Sequence, residues 1–160
     1  MKKLLSVALA VVALSTVTGC AGMRAAAARS KFIENAVMAH TYQRPCNDIW
    51  GAARTMLFAR DFQVKSADAA AGLTLETEWK VTTNGNSMNS SRYLFQGSAP
   101  QAGSCQVSAT RAMKSQQGST SMSRDWQMEW DLLKQVDMEA AQRIEVDATA
   151  AGEVARNTKS

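Results

Sequence analysis

Residues 73–81 read Leu-Thr-Leu-Glu-Thr-Glu-Trp-Lys-Val, LTLETEWKV. Leu73, Leu75, Thr77, Trp79 and Val81 fall on one side of an extended chain, and Thr74, Glu76, Glu78 and Lys80 on the other. A period of two over this length is the pattern of a half-buried β-strand. Such a strand needs neighbours to pair with and a layer to cover its apolar side, and both must come from the flanking sequence.

Downstream, TTNGNSMNSS (82–91) reads as a polar connection with a turn signal at Asn84-Gly85. RYLFQG (92–97) resumes a strand, SAPQAG (98–103) turns, and SCQVSATRAM (104–113) alternates again. Cys105, Val107, Ala109 and Met113 share one face of that last strand. KSQQGSTSMS (114–123) has few apolar residues and reads as a loop. In RDWQMEWDLLKQV, Trp126, Trp130 and Leu133 recur at helical spacing. The adjacent Leu132-Leu133 and the scarcity of β-branched residues favour a helix over a strand. Asp137 is placed to cap a last helix with an inner stripe of Ala141, Ile144, Ala148 and Ala151. RNTKS (156–160) is expected to fray.

Upstream, Phe62 and Val64 alternate with polar residues. Before them DIWGAARTMLFARDF (48–62) places Trp50, Ala53 and Leu57 on one helical face, with Ile49 and Met56 beside them. Asn47 is expected as its N-cap. HTYQRP (40–45) reads as a short strand ended by Pro45. Residues 21–38 are rich in alanine, the best helix former, with Phe32, Ile33, Ala36 and Val37 at helical spacing. The expected architecture is α+β: one small domain, an antiparallel sheet of about four strands, helices on one face, and an Ala-rich helix in front. No internal repeat and no second domain emerge. The expected boundaries are 1–19 for a leader, 20–38 for a tether, 39–155 for the domain and 156–160 for the tail.

The chain starts Met1-Lys2-Lys3 and continues LLSVALAVVAL (4–14). Charge followed by about ten apolar residues is the pattern of a secretory signal, too short for a comfortable transmembrane helix. Val17-Thr18-Gly19-Cys20 comes next, and it resembles the lipobox of bacterial lipoproteins. That resemblance implies cleavage between Gly19 and Cys20 and transfer of a diacylglycerol to the Cys20 thiol. It further implies acylation of the new amine, so that several acyl chains, palmitate among them, hold the protein on the membrane. Residue 21 is Ala rather than Asp, which by the same resemblance implies the outer membrane. Removal of the leader leaves about 140 residues, one domain. Lys2 and Lys3 carry two of the four net positive charges. No Lys/Arg cluster exists, so nucleic acid is not an expected partner.

With Cys20 taken by lipid, Cys46 and Cys105 remain. In an oxidising compartment such a pair is expected as a disulfide closing a loop of roughly 60 residues, worth up to about 4 kcal/mol. Two buried free thiols are the alternative, and a catalytic thiol would need His40, the only histidine, as its base. No catalytic set is found: no G-x-S-x-G, S-x-x-K, H-E-x-x-H or Gly-rich phosphate loop. Glu76 and Glu78 lie on the solvent side of the first strand beside Lys80, as surface carboxylates do. Met38-Ala39-His40 offers soft copper ligands, but the other methionines are scattered, so neither a metal nor another cofactor is expected. Trp50, Trp79, Trp126 and Trp130 all fall on predicted apolar faces. Trp126 and Trp130, after the polar loop, are the pair placed to line a groove for a ligand.

From Pro45 to Trp79 the order is Asn47, Trp50, Leu57, Phe62-Gln63-Val64, Gly72, Leu73 and Trp79. This pattern resembles BamC-like lipoprotein domains over about a quarter of the mature chain. The resemblance implies a helix-grip fold, a curved antiparallel sheet with helices on one side. BamC has two such domains and a long extended N-terminal segment, whereas this chain has one domain and a short Ala-rich stretch. Two functions are therefore expected. The first is a non-enzymatic accessory or scaffold lipoprotein of a cell-envelope complex, anchored in the outer membrane and facing the periplasm, with a protein partner. The second is a binding module for lipid, peptidoglycan fragment or peptide in a groove at Trp126 and Trp130.

Overall fold

The structure is a computed structural model that describes residues 2–65, 73–84 and 87–158, with backbone alone for 2–20, Asn84 and Ser87. Its elements are α1 (Lys2–Ala39), α2 (Cys46–Phe58), β1 (Thr74–Glu76), β2 (Lys80–Asn84) and β3 (Ser87–Ser98), then β4 (Gln106–Lys114), β5 (Thr120–Arg124), α3 (Trp126–Val136) and α4 (Met138–Asn157). The class is α+β, with a five-stranded antiparallel sheet and helices α2 and α3 on one side of it. Long β3 is the spine: β1 and β2 pair with one of its edges, β4 with the other, and β5 with β4. Among the described residues no helix is long and apolar enough to cross a membrane. By contacts the chain forms two compact units, Met1–Asn35 with Gln142–Ser160, and Ala36–Ala141.

In the second unit the core lies between the sheet and helices α2 and α3. Leu75, Phe95 and Ala109 are directly opposed across β1, β3 and β4, and all three are fully buried. Helix α2 covers them with Ile49, Trp50, Ala53, Met56 and Leu57, the face expected from its spacing. Its start differs from expectation. Pro45, not Asn47, is the N-cap, and the helix opens one residue beyond it at Cys46. Proline suits that place because its missing N–H would have no partner there and its extended conformation leads into the first turn. The helix also ends at Phe58 rather than Phe62. Asp61 takes a left-handed backbone (φ 58°), and Phe62 N donates back to Leu57 O at 3.0 Å, closing the end. HTYQRP contributes a single bridge, Tyr42 to Cys105, rather than a strand.

The run LTLETEWKV is not one strand. From β1 to β2 the register against β3 slips by one residue: Glu76 faces Leu94, but Lys80 faces Ser91. One extra residue in Thr77–Trp79 makes a bulge, and a bulge sends the side chains beyond it to the opposite face. Leu75 and Thr77 therefore point inward and are buried, while Trp79 and Val81 point out, 37% and 55% exposed. Lys80, expected outside, turns inward over the Phe62 ring at 5.2 Å and donates to Arg60 O at 2.7 Å. Thr77 secures the break with both its backbone and its side chain. Its N–H donates to Tyr93 O at 3.0 Å, and its Oγ1 accepts Tyr93 N at 2.9 Å.

Two stretches read as loops contain strand. The connection 82–91 holds most of β2 and the start of β3, paired antiparallel as far as Asn84 and Ser87, and Gly85 of the expected turn lies outside the described residues. The polar 114–123 stretch holds all of β5 but Arg124, and all five β5 residues are exposed. The turn before β5 contains Gly118 at φ 87°, where a side chain would be strained. Helix α3 matches its expected span, but its buried residues are Met128, Glu129, Leu132 and Leu133. Trp126 and Trp130 are only half-buried. Asp125 caps α3, accepting Met128 N at 3.0 Å. Asp137 caps α4 as expected, accepting Ala140 N at 3.0 Å. Helix α4 continues through Asn157, so Arg156 and Asn157 of the tail are helical.

In the first unit α1 and α4 run antiparallel, Ala25 beside Gly152 and Arg29 paired with Glu145. Small residues make the contact: Ala25, Ala148 and Gly152 are buried. A Cβ on Gly152 would sit 3.0 Å from Ala25 O, so glycine lets the two helices approach this closely without pushing the Ala25 carbonyl aside.

Candidate functional site

Gly19 and Cys20 lie in the backbone of α1, and their side chains are outside the described residues. Beyond Cys20 helix α1 continues without interruption to Ala39, so residues 20–38 are helical, as their alanine content predicts. A cleft of about 240 Å³ next to this segment is lined by Gly22, Ala25, Ala26 and Arg29 from α1, and Thr149, Gly152, Glu153 and Arg156 from α4.

Cys46 and Cys105 are bonded to each other, with Cα atoms 5.0 Å apart and a sequence separation of 59. The bond joins the first residue of α2 to the residue preceding β4. A Cβ on Gly97 would come 2.8 Å from Cys46 Sγ and 3.0 Å from Trp50 Cζ2, so glycine lets the helix start lie flat on β3. Free thiols and a catalytic thiol are thereby replaced by a covalent tie. His40 instead packs edge-on to Tyr42 at 4.6 Å, with Nε2 3.9 Å from Asp137 Oδ2. Met38 O accepts from Gln106 Nε2 at 3.2 Å and from Arg124 Nη2 at 3.3 Å. Among the described residues no group of three His, Cys, Asp or Glu is placed to hold a metal ion.

The sheet face away from α2 and α3 carries an apolar and aromatic surface. Register places Val81, Met88, Arg92 and Met122 on it, together with Ala112, which is buried, and Trp79 stands there beside Arg92. The Arg92 guanidinium lies over the Trp79 ring at 4.8 Å and also pairs with Glu76. Glu76 is thus an ion-pair partner of Arg92. Met88 and Met122 are exposed. Trp79, expected in the core, stands on this outer face because of the bulge. Sequence alternation cannot signal this, since the period of two runs through the inserted residue unchanged.

Trp126 and Trp130 are one turn apart on α3, with Lys134 Nζ 5.6 Å from the Trp130 ring. Two clefts in the same unit lie elsewhere. One is lined by Gln96, Gly97, Ser98, Gln106 and Arg124 among others, and the second by residues around Cys46 and Gly103.

One constellation had no sequence signal. Glu129 is buried, and its Oε1 accepts Ala109 N and Arg124 Nε, both at 2.8 Å. Its Oε2 accepts Arg124 Nη2 at 2.8 Å. Ala109 is the β4 residue just beyond the end of β5, so the carboxylate continues the hydrogen-bond ladder where the strand stops. The ion pair also holds Arg124 in its charged form more firmly, raising its pKa. Nearby, Tyr93 Oη donates to Asp125 Oδ2 at 2.8 Å. Burial first, and this bond second, push the Tyr93 hydroxyl up to about 12. Both carboxylates join sheet to helix, Glu129 through Ala109 N and Arg124 and Asp125 through Tyr93 Oη and Met128 N.

A scan against protein-family models finds none that matches the chain, and comparison with curated proteins finds none that matches it either.

Proposed function

We propose that the chain is a bacterial lipoprotein, held on the outer membrane through acylated Cys20 and acting in the periplasm as a non-enzymatic accessory or scaffold subunit of an envelope complex. The observation that carries this reading is the order Lys2-Lys3, apolar run, Val17-Thr18-Gly19-Cys20. Two features of the folded part support it. Buried Glu129 and the cysteine pair of the sheet domain are engaged in structural ties. The open sheet face presents Trp79, Arg92, Met88 and Met122, residue types enriched where proteins meet. The BamC-like pattern in residues 45–79 is taken as a proposed likeness of fold only, because one fold serves many functions.

The test uses the full chain made in bacterial cells with a labelled fatty acid. Native protein should take up label and sediment with outer membrane, and Cys20→Ala should lose both. A Cys20→Ala protein that stays anchored would remove the basis of this reading. Gentle solubilisation with crosslinking should recover a second protein with the chain. Recovery as a monomer alone counts against the accessory role.

A further inference from the structure

The helical unit sets a second surface beside the proposed anchor. Helices α1 and α4 are antiparallel, with Gly152 level with Ala25, and Arg156 and Gly22 lining the same cleft. The same pairing puts Val154 level with Met23. Cys20 precedes Met23 by three residues, about 4.5 Å of helix rise. The headgroup layer of one leaflet is about 5 to 7 Å deep. An acyl-bearing Cys20 at the hydrocarbon boundary therefore places this level inside the headgroups.

The side chains there suit that place. Met23 and Val154 are each 68% exposed, large apolar groups turned to the outside of the helix pair. Arg24 and Arg156 are exposed at the same end, and Glu153 lines the cleft with Arg156. Apolar side chains flanked by arginines match an interface whose inner side is acyl chain and whose outer side is phosphate. We propose that the Cys20 end of the α1–α4 pair is seated in the phospholipid headgroup layer. Met23 and Val154 then lie within the headgroup layer, and Arg24 and Arg156 bind lipid phosphates there. This rests on the reading that Cys20 is lipidated. It makes the C-terminal helix a second, non-covalent attachment, which stops the anchored protein from swinging on its lipid.

Val146 supplies the internal control. It lies on the same helix and is 69% exposed. It is eight residues nearer the start of α4, about 12 Å farther from the anchor. The experiment places a photo-crosslinking amino acid at 154 or at 146 in the purified full-length lipoprotein. Each protein is reconstituted in vesicles of mixed phosphatidylethanolamine and phosphatidylglycerol. Mass spectrometry reads the acyl group on Cys20 and any phospholipid adduct formed on irradiation. Position 154 should yield about tenfold more adduct than 146, because 12 Å clears the headgroup layer. Arg156→Glu should lower the adduct at 154 several-fold. Acylated Cys20 with equal or absent adducts at the two positions overturns the proposal and leaves the anchor intact. Absence of the acyl group overturns both.

Discussion

The two edges of the sheet are secured in different ways. At the β1–β2 edge a bulge breaks the strand, and the break is filled from inside by Thr77, Phe62 and the inward-turned Lys80. At the β5 edge nothing apolar is buried. Five exposed residues pair with β4, and the strand's end is fixed by the Arg124–Glu129 pair and the Tyr93–Asp125 bond. The first edge depends on packing and a buried hydroxyl. The second depends on charge and hydrogen bonds to α3. The difference teaches that a strand without a hydrophobic face can be specified by what happens at its last residue.

Removing Glu129 should separate the two edges most. Glu129→Ala leaves Ala109 N buried without an acceptor and Arg124 without its carboxylate. Loss of one partner of a buried pair costs about 3 to 5 kcal/mol. Arg124 is partly exposed (38% of its side chain) and can turn to water, which lowers the expected loss to about 2 to 3 kcal/mol. Glu129→Gln keeps an acceptor for Ala109 N and should lose about 1 kcal/mol. Denaturant unfolding measures both, and amide exchange should quicken in 120–124 before it changes in β1. Equal protection of the two edges in Glu129→Ala would show that the ion pair does not hold β5.

The same contrast accounts for how much of the fold is legible in the chain alone. Strands β3 and β4 and helix α2 are legible because each has one buried face and one wet face, and burial imposes a period. The disulfide is legible from the parity left once Cys20 is set aside. The bulge is not, because Trp79 and Val81 continue the alternation of Leu73 and Leu75 while facing the other way. Strand β5 is hidden because its TSMSR residues bury nothing. The face of α3 is concealed because Glu129, a charged residue, occupies a core position that pattern assigns to apolar side chains. Pattern gives that position to Trp126 and Trp130 instead.

The packed edge is tested by Thr77→Val, which keeps the shape of the side chain and removes its oxygen. Thr77 is fully buried, so Tyr93 N loses the acceptor at 2.9 Å with no water to replace it. The expected loss is about 1 to 3 kcal/mol. Faster exchange should appear at Tyr93 and in 74–84, leaving 120–124 as in the native chain. If Thr77→Val is as stable as the native protein, backbone pairing alone carries the bulge.

The smallest effect lies between the two edges, at Tyr93 on β3. Its hydroxyl donates to Asp125, the cap of α3, while Arg111 and Arg60 act in the opposite direction on its ionisation. The folded pKa of about 12 lies above the ordinary 10.0. The unfolded chain therefore releases the Tyr93 proton first as pH rises. Stability from this group is fully present below pH 10 and is lost as pH rises through about 12. Tyr93→Phe should be less stable than the native protein by about 1 to 2 kcal/mol at neutral pH, the value of a hydrogen bond to a carboxylate. That gap should close between pH 10 and 12. Tyr42, whose hydroxyl is also pushed up by burial, is present in both proteins and cancels from the comparison. Denaturant midpoints from about pH 8 upward decide the matter, and a gap that stays constant across the range would show that the Tyr93 proton does not link β3 to the cap of α3.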